Sequence, residues 1–188
     1  MKNKSDNNFE YFLNAVHYCM WRKLIAQHIF LRRTILVLFS HIQGGIFSKK
    51  RREIYNRQIL DNNIEDFFRN NKDGFCISWA HHWTGYFYAC YPGFISFVLL
   101  GLETRLFGSL SPFVDLLLIF GPIGICYIPV YKALYTKDRY LNYFKRFEKE
   151  DEQWHRKWSR ITTLFCVGAI IMFVGGIAAM ILIGSWQT

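Results

Sequence analysis

The hydrophobic residues of this 188-residue chain are concentrated in three uninterrupted runs. The runs cover residues 85–102, 112–131 and 161–184. Each has close to the ~20 residues that a helix needs to cross the hydrocarbon core of a bilayer. A soluble domain would instead distribute such residues at the spacing of one helix face or one strand face. The pattern therefore predicts an all-α integral membrane protein with three transmembrane helices.

The remaining segments predict cytoplasmic amphipathic helices. We divide the chain into a cytoplasmic or interfacial helical arm at residues 1–75 and a three-span membrane domain at residues 76–188, with a cytoplasmic helix at 137–160 between spans two and three. Within that helix the aromatic residues recur at steps typical of one helix stripe: Tyr140, Phe144, Phe147, Trp154 and Trp158. The stripe stays in phase through Phe165, which favours one long helix that runs from the cytoplasm into the third span.

Residues 24–47 are ambiguous, because they are nearly apolar enough to form a fourth span. Arg32 and Arg33 lie near the middle of this segment. Each arginine costs about 2.5–3.5 kcal/mol at the centre of a spanning helix, against a gain of roughly 0.3–0.6 kcal/mol per Leu, Ile, Val or Phe. Just upstream, apolar residues recur at helical spacing with Glu10, Asn14 and His17 on the opposite face, which predicts a helix that lies in the interface or packs on other helices. We therefore predict that residues 8–46 form an interfacial helical arm rather than a span.

The distribution of basic residues predicts the orientation of the chain. Thirteen Lys and Arg residues precede the first run, one separates it from the second, nine lie between the second and third, and none follows the third. Because basic segments stay in the cytoplasm, three spans place the N-terminus inside and the C-terminus outside. We expect the location to be a bacterial inner membrane. One basic cluster in the arm is predicted to bind anionic lipid at ~1 kcal/mol per residue: Lys49, Lys50, Arg51 and Arg52.

Asp115 is the one acidic residue inside the predicted spans. A carboxylate within a membrane is a candidate for proton or ion handling. Its neighbours favour a structural role, because Ser111 is a good N-cap and Pro112 is a good first helical residue. Asp115 would then lie in the first turn, where the helix dipole favours a negative charge.

Two further groups of residues are candidate sites. Gly168, Gly175 and Ala179 share one face of the third span and are predicted to pack against another helix. His81 and His82, with Cys76 nearby, resemble metal ligands in residue type, but adjacent histidines point about 100° apart on a helix and no second pair is present. We therefore expect no metal and no cofactor.

The function predicted from these features is non-enzymatic, since the sequence contains none of the common catalytic or nucleotide-binding motifs. We expect a membrane accessory or scaffold protein whose basic cytoplasmic helices bind a protein partner and anionic lipid. The alternative is a self-assembling oligomer that forms a pore or disrupts membranes, through spans that contain proline and glycine. A membrane-tethered nucleic-acid binder is a third reading, disfavoured because no recognition module accompanies the charge.

Overall fold

The structure is a computed structural model that describes residues 7–43, 66, 68–108 and 111–185. These residues form helices and turns, with no strand among them. In chain order the helices are α1 (Asn8–Gln43), α2 (Phe75–Phe107), α3 (Pro112–Leu134), a short 3-10 turn (Thr136–Asp138), α4 (Arg139–Phe147) and α5 (Glu152–Ser185).

Three helices in the described part of the chain are long and apolar enough to cross a membrane. They are α2, the stretch that begins with α3, and α5. This confirms the all-helical class and the three apolar helices that the sequence predicts. Helix α1 has 36 residues and is as long as any of them, yet it is not apolar enough to qualify. Its second half contains the two adjacent arginines that argued against a fourth span.

The start of α3 follows from its sequence. Ser111 is the N-cap, and its hydroxyl oxygen accepts a hydrogen bond from the backbone N–H of Val114 at 3.4 Å. The backbone N–H of Asp115 donates to the carbonyl of Ser111 at 3.1 Å. Pro112 occupies the start of the helix, where its missing N–H leaves no backbone partner unsatisfied. The predicted cap, and the first-turn position of Asp115, are confirmed.

The segment 137–160 contains two helices separated by a turn at residues 148–151. Four successive charged residues occupy this turn, and the last of them, Asp151, accepts a hydrogen bond from the backbone N–H of Trp154 at 2.7 Å. Asp151 therefore caps the start of α5. The aromatic stripe survives the interruption, because the rings of Phe147 and Trp154 stack across it with centroids 4.8 Å apart.

The described residues fall into two compact units, one drawn from Met1–Cys19 and Trp83–Thr188 and the other from Met20–His82. In the second unit the ring of His28 stacks on that of Phe68, with centroids 3.5 Å apart. Burial, and then the nearby Arg32 guanidinium, lower the pKa of His28 from its usual value. Both effects favour the neutral imidazole.

In the first unit, α2 packs against both α3 and α5. The hydroxyl of Ser96 donates to the carbonyl of Ile119 in α3 at 2.8 Å, and the hydroxyl of Tyr91 donates to the carbonyl of Phe165 in α5 at 2.8 Å. Gly101 lies against the backbone of Met180, where an added Cβ would be 3.0 Å from the Met180 Cα. Small residues and hydroxyl groups of this kind allow helices to approach closely in an apolar medium.

Gly176 gives the sharpest test of this packing. An alanine Cβ at this position would lie 2.8 Å from Cδ2 of Phe97 and 3.2 Å from the Cα of Phe94, which belongs to the backbone and cannot rotate away. We expect Gly176→Ala to lower the stability by about 1–3 kcal/mol, as overpacking does. Thermal unfolding of the purified protein in detergent measures the loss.

The neighbouring residue is the matched control for this substitution. A Cβ at Gly175 would meet its nearest atom, Cε2 of Phe94, at an ordinary 3.9 Å. Gly175→Ala should therefore unfold at or above the wild-type temperature. Equal unfolding temperatures for the two alanine variants would contradict the packing of α5 described here.

Candidate functional site

The first three turns of α1 pack against α3 and its neighbouring helices. We call this contact region the seat of α1. Leu13 is fully buried and belongs to the same hydrophobic cluster as Val130, Ala133 and Leu134 at the end of α3. Half-buried aromatic residues close the cluster: Phe12, Tyr88, Tyr127 and Tyr135. The apolar stripe at the start of α1 thus packs against protein, and burial of one such side chain contributes about 1.5–3 kcal/mol.

A second layer of the seat consists of aromatic rings from α1, α4 and α5, which we call the aromatic module: Tyr11, Phe12, Tyr18, Phe144, Phe147, Trp154 and Trp158. Tyr11 contacts Phe147 at 5.3 Å and Trp158 at 5.6 Å between ring centroids, both in edge-to-face geometry. The indole N–H of Trp154 donates to the hydroxyl of Tyr11 at 3.0 Å. Aromatic pairs of this geometry add about 0.5–1.5 kcal/mol each beyond their buried area.

Asn14 joins the seat to the end of α3. Its Nδ2 donates to the carbonyl of Glu10 at 2.8 Å and to the carbonyl of Ala133 at 3.2 Å. Ala133 lies in the last turn of α3, where backbone carbonyls lack a partner within the helix. The Asn14 side chain is fully buried, and among the described residues its Oδ1 accepts no hydrogen bond. Asn14 thus supplies a hydrogen-bond donor to the Ala133 carbonyl, which an apolar side chain at this position could not do.

His17 is the second fully buried polar side chain of the seat. Its ring contacts those of Tyr140 and Phe144, with centroids 5.5 Å and 5.2 Å away, and these two rings also contact each other at 5.4 Å. The imidazole therefore packs as a flat ring among aromatic side chains, and it is also a polar group in the interior. His17 is separated by one turn from Asn14, so both polar side chains lie on the face of α1 that is turned to α3 and α4.

The rim of the seat carries charge. Nη1 of Arg139 lies 3.5 Å from Oε1 of Glu10, and the guanidinium of Arg146 lies 5.7 Å from the ring centre of Tyr11. The Arg139 side chain is half exposed, so its ion pair contributes at most about 1 kcal/mol. The chain from 132 to 160 contains nine Lys and Arg against five Asp and Glu, which leaves the surface around the aromatic module basic.

The residues predicted to form sites have the following places. Lys49, Lys50, Arg51 and Arg52 lie outside the described residues. A Cβ on Gly168 would lie 2.8 Å from the hydroxyl oxygen of Tyr91, one on Gly175 would lie 3.9 Å from Phe94, and Ala179 is half-buried. The fully buried residues of α5 are Thr162, Ala169 and Gly176, one helix position away from that stripe.

Two buried polar residues of α2 were missed by the sequence analysis. Glu103 is only 7% exposed, although it follows directly on the predicted first run, and Ser96 is 1% exposed. Their seven-residue spacing places both on one face of α2, and this spacing was the available signal. Among the described residues, no group of three or more His, Cys, Asp and Glu residues is arranged to hold a metal ion.

Comparison with known proteins gives no further assignment. No family model matches the sequence, and no curated protein or solved structure shows significant similarity to it.

Asn14→Ala tests the seat directly. The change removes the donor to the Ala133 carbonyl and leaves that buried group unsatisfied, so we expect a loss of about 1–3 kcal/mol. The loss should appear as a lower unfolding temperature in detergent and as faster chymotryptic cleavage at the aromatic residues of α1.

Asn142→Ala is the matched control, because Asn142 is exposed on α4. It should unfold and be cleaved like the wild type. If the two alanine variants were cleaved at the same rate, the Asn14 hydrogen bonds would not hold α1 in place.

Proposed function

We propose that this chain is a non-enzymatic accessory or scaffold protein of a membrane. In this proposal α2, α3 and α5 anchor the chain in the bilayer, and the exposed residues Lys145 and Lys149 beside the aromatic module bind a protein partner in the cytoplasm. The observation that supports it most is the seat itself. The start of α1 is fixed by the buried side chains of Leu13 and Asn14 to the end of an apolar helix, so a partner bound to the module is held at the membrane.

The partner that fits this surface is an acidic protein. Lys145 and Lys149 are exposed, while Phe144 and Phe147 are buried. The lysines therefore face away from the aromatic module. Exposed charge of this kind steers an oppositely charged protein and sets the rate of association more than the affinity.

A self-assembling pore is the second candidate function. In the most apolar 18 residues of the stretch Pro112–Phe147, only 6% are buried. An added Cβ on Gly121 or Gly124 would meet no atom within 4 Å. This open face has room for the close approach of a helix from another copy. The two candidates differ in the composition of the assembly they require.

The mass of the complex extracted in mild detergent separates the candidates. The scaffold proposal expects a complex with a second protein, which is released by Lys145→Glu/Lys149→Glu because reversed charge repels an acidic partner. Lys157→Glu/Arg160→Glu is the control with the same change in charge at the start of α5, and it should retain the partner. A closed ring of identical chains would contradict the scaffold and favour the pore.

The orientation in the membrane is tested separately with reporters at the two ends. With three spans and cytoplasmic basic segments, we expect a tag at Met1 to lie inside and a reporter after Thr188 to lie outside. Protease protection of the tag in sealed vesicles, together with activity of a reporter that works only outside, measures both positions. Both ends on one side would require an even number of spans, and α1 would then have to be reassigned.

A further inference from the structure

The residues at the start of α5 are arranged in three layers along the helix axis. Asp151 and Glu152 lie at its N-terminus, where the helix dipole favours acidic groups. Three basic residues follow: Arg156, Lys157 and Arg160. The apolar run begins at Ile161, directly after Arg160.

The basic layer has the thickness of a lipid headgroup region. At a rise of about 1.5 Å per residue, Arg156 to Arg160 spans ~6 Å along the axis. The polar region on each side of a bilayer occupies roughly 5–7 Å beyond the hydrocarbon core. Glu152 lies roughly 13 Å outside Ile161 by the same rise, beyond that region.

All three basic side chains are exposed on one side of α5. They follow each other at helix spacings of one, three and four residues, whereas Trp158 is half-buried in the aromatic module. Arg156 also has an ion pair with Glu152 at 3.2 Å, on the side of Arg156 that is away from the apolar run. Both side chains of this pair are largely exposed, so the pair is weak and does not prevent Arg156 from binding another anion. The three basic side chains are therefore exposed to a ligand at the start of the apolar run.

We propose that Arg156, Lys157 and Arg160 form a binding surface for anionic phospholipid headgroups. The two arginines match phosphate oxygens with paired N–H donors, and Lys157 supplies a point charge. A lipid is favoured over a protein ligand because the basic layer directly adjoins the apolar run, where headgroups lie. This inference rests on the membrane anchoring proposed above, but not on the protein partner.

The test is the binding of phosphatidylglycerol and of phosphatidylcholine to the purified chain in neutral detergent, followed by native mass spectrometry. The wild type should bind phosphatidylglycerol in preference to phosphatidylcholine. Lys157→Gln/Arg160→Gln should weaken phosphatidylglycerol binding by roughly 25-fold, at about 1 kcal/mol per basic residue. Lys145→Gln/Lys149→Gln removes the same charge from the module surface and should bind like the wild type.

Two results would overturn the headgroup surface. One is equal binding of the two lipids by the wild type, and the other is equal weakening in the two double variants. If the first double variant does not fold, Lys157→Arg/Arg160→Lys should retain the preference. The wild-type preference should also decline when salt is raised from about 0.05 to about 0.5 M, because exposed charges are screened. A preference that salt leaves unchanged would exclude these exposed groups.

A separate measurement distinguishes failure of this surface from failure of the membrane anchor. Alkaline carbonate should leave the wild type and both double variants in the membrane fraction, since spanning helices resist extraction. Release of the wild type would overturn the anchor and the headgroup surface together. Retention of the chain without a lipid preference would overturn the headgroup surface alone.

Discussion

The first unit depends on the hydrogen bond between Asn14 and the end of α3. A helix that ends within a packed cluster leaves backbone carbonyls that cannot reach water, and each such group costs about 1–3 kcal/mol if it stays unsatisfied. Asn14 supplies the donor for Ala133 at 3.2 Å, and the same nitrogen holds the Glu10 carbonyl of its own helix. This polar contact sets the position of α1 along α3, and the aromatic rings then pack around it.

The aromatic module explains how helices from distant parts of the sequence meet at one end of the apolar segments. Tyr11 and Tyr18 of α1 contact rings from both α4 and α5. One short stretch of α1 therefore packs against the segment that connects α3 to α5. Large flat side chains suit this task, because they bury much area with few rotatable bonds. The Trp154 to Tyr11 hydrogen bond satisfies an indole N–H that the packing would otherwise enclose without an acceptor.

Much of this architecture was predictable because it depends on local composition. The length of each apolar run and the Ser111 cap are local properties, and the structure agrees with both. The packing face of α5 was harder to predict from the sequence, because almost every position after Ile161 is apolar and the helix has no polar side to orient it. The packing partner of α1 was hard to predict for a related reason. An amphipathic stripe has the same pattern whether it covers protein or lies at a membrane surface.

The candidate site shows the same limit at the level of single residues. Asn14 and His17 lie on the polar side of the predicted helix, where the sequence pattern predicts exposure to water. Both side chains are nevertheless fully buried. Their burial depends on contacts with Ala133, Tyr140 and Phe144, more than 110 positions further along the chain. Polar side chains cost free energy inside a protein unless they form hydrogen bonds, so each buried one restricts how the surrounding helices can pack. At Asn14 that restriction is directional, because its amide must point its donor at one carbonyl. The register of α1 on α3 is therefore set more sharply by one asparagine than by the apolar residues around it, which tolerate several arrangements of similar volume.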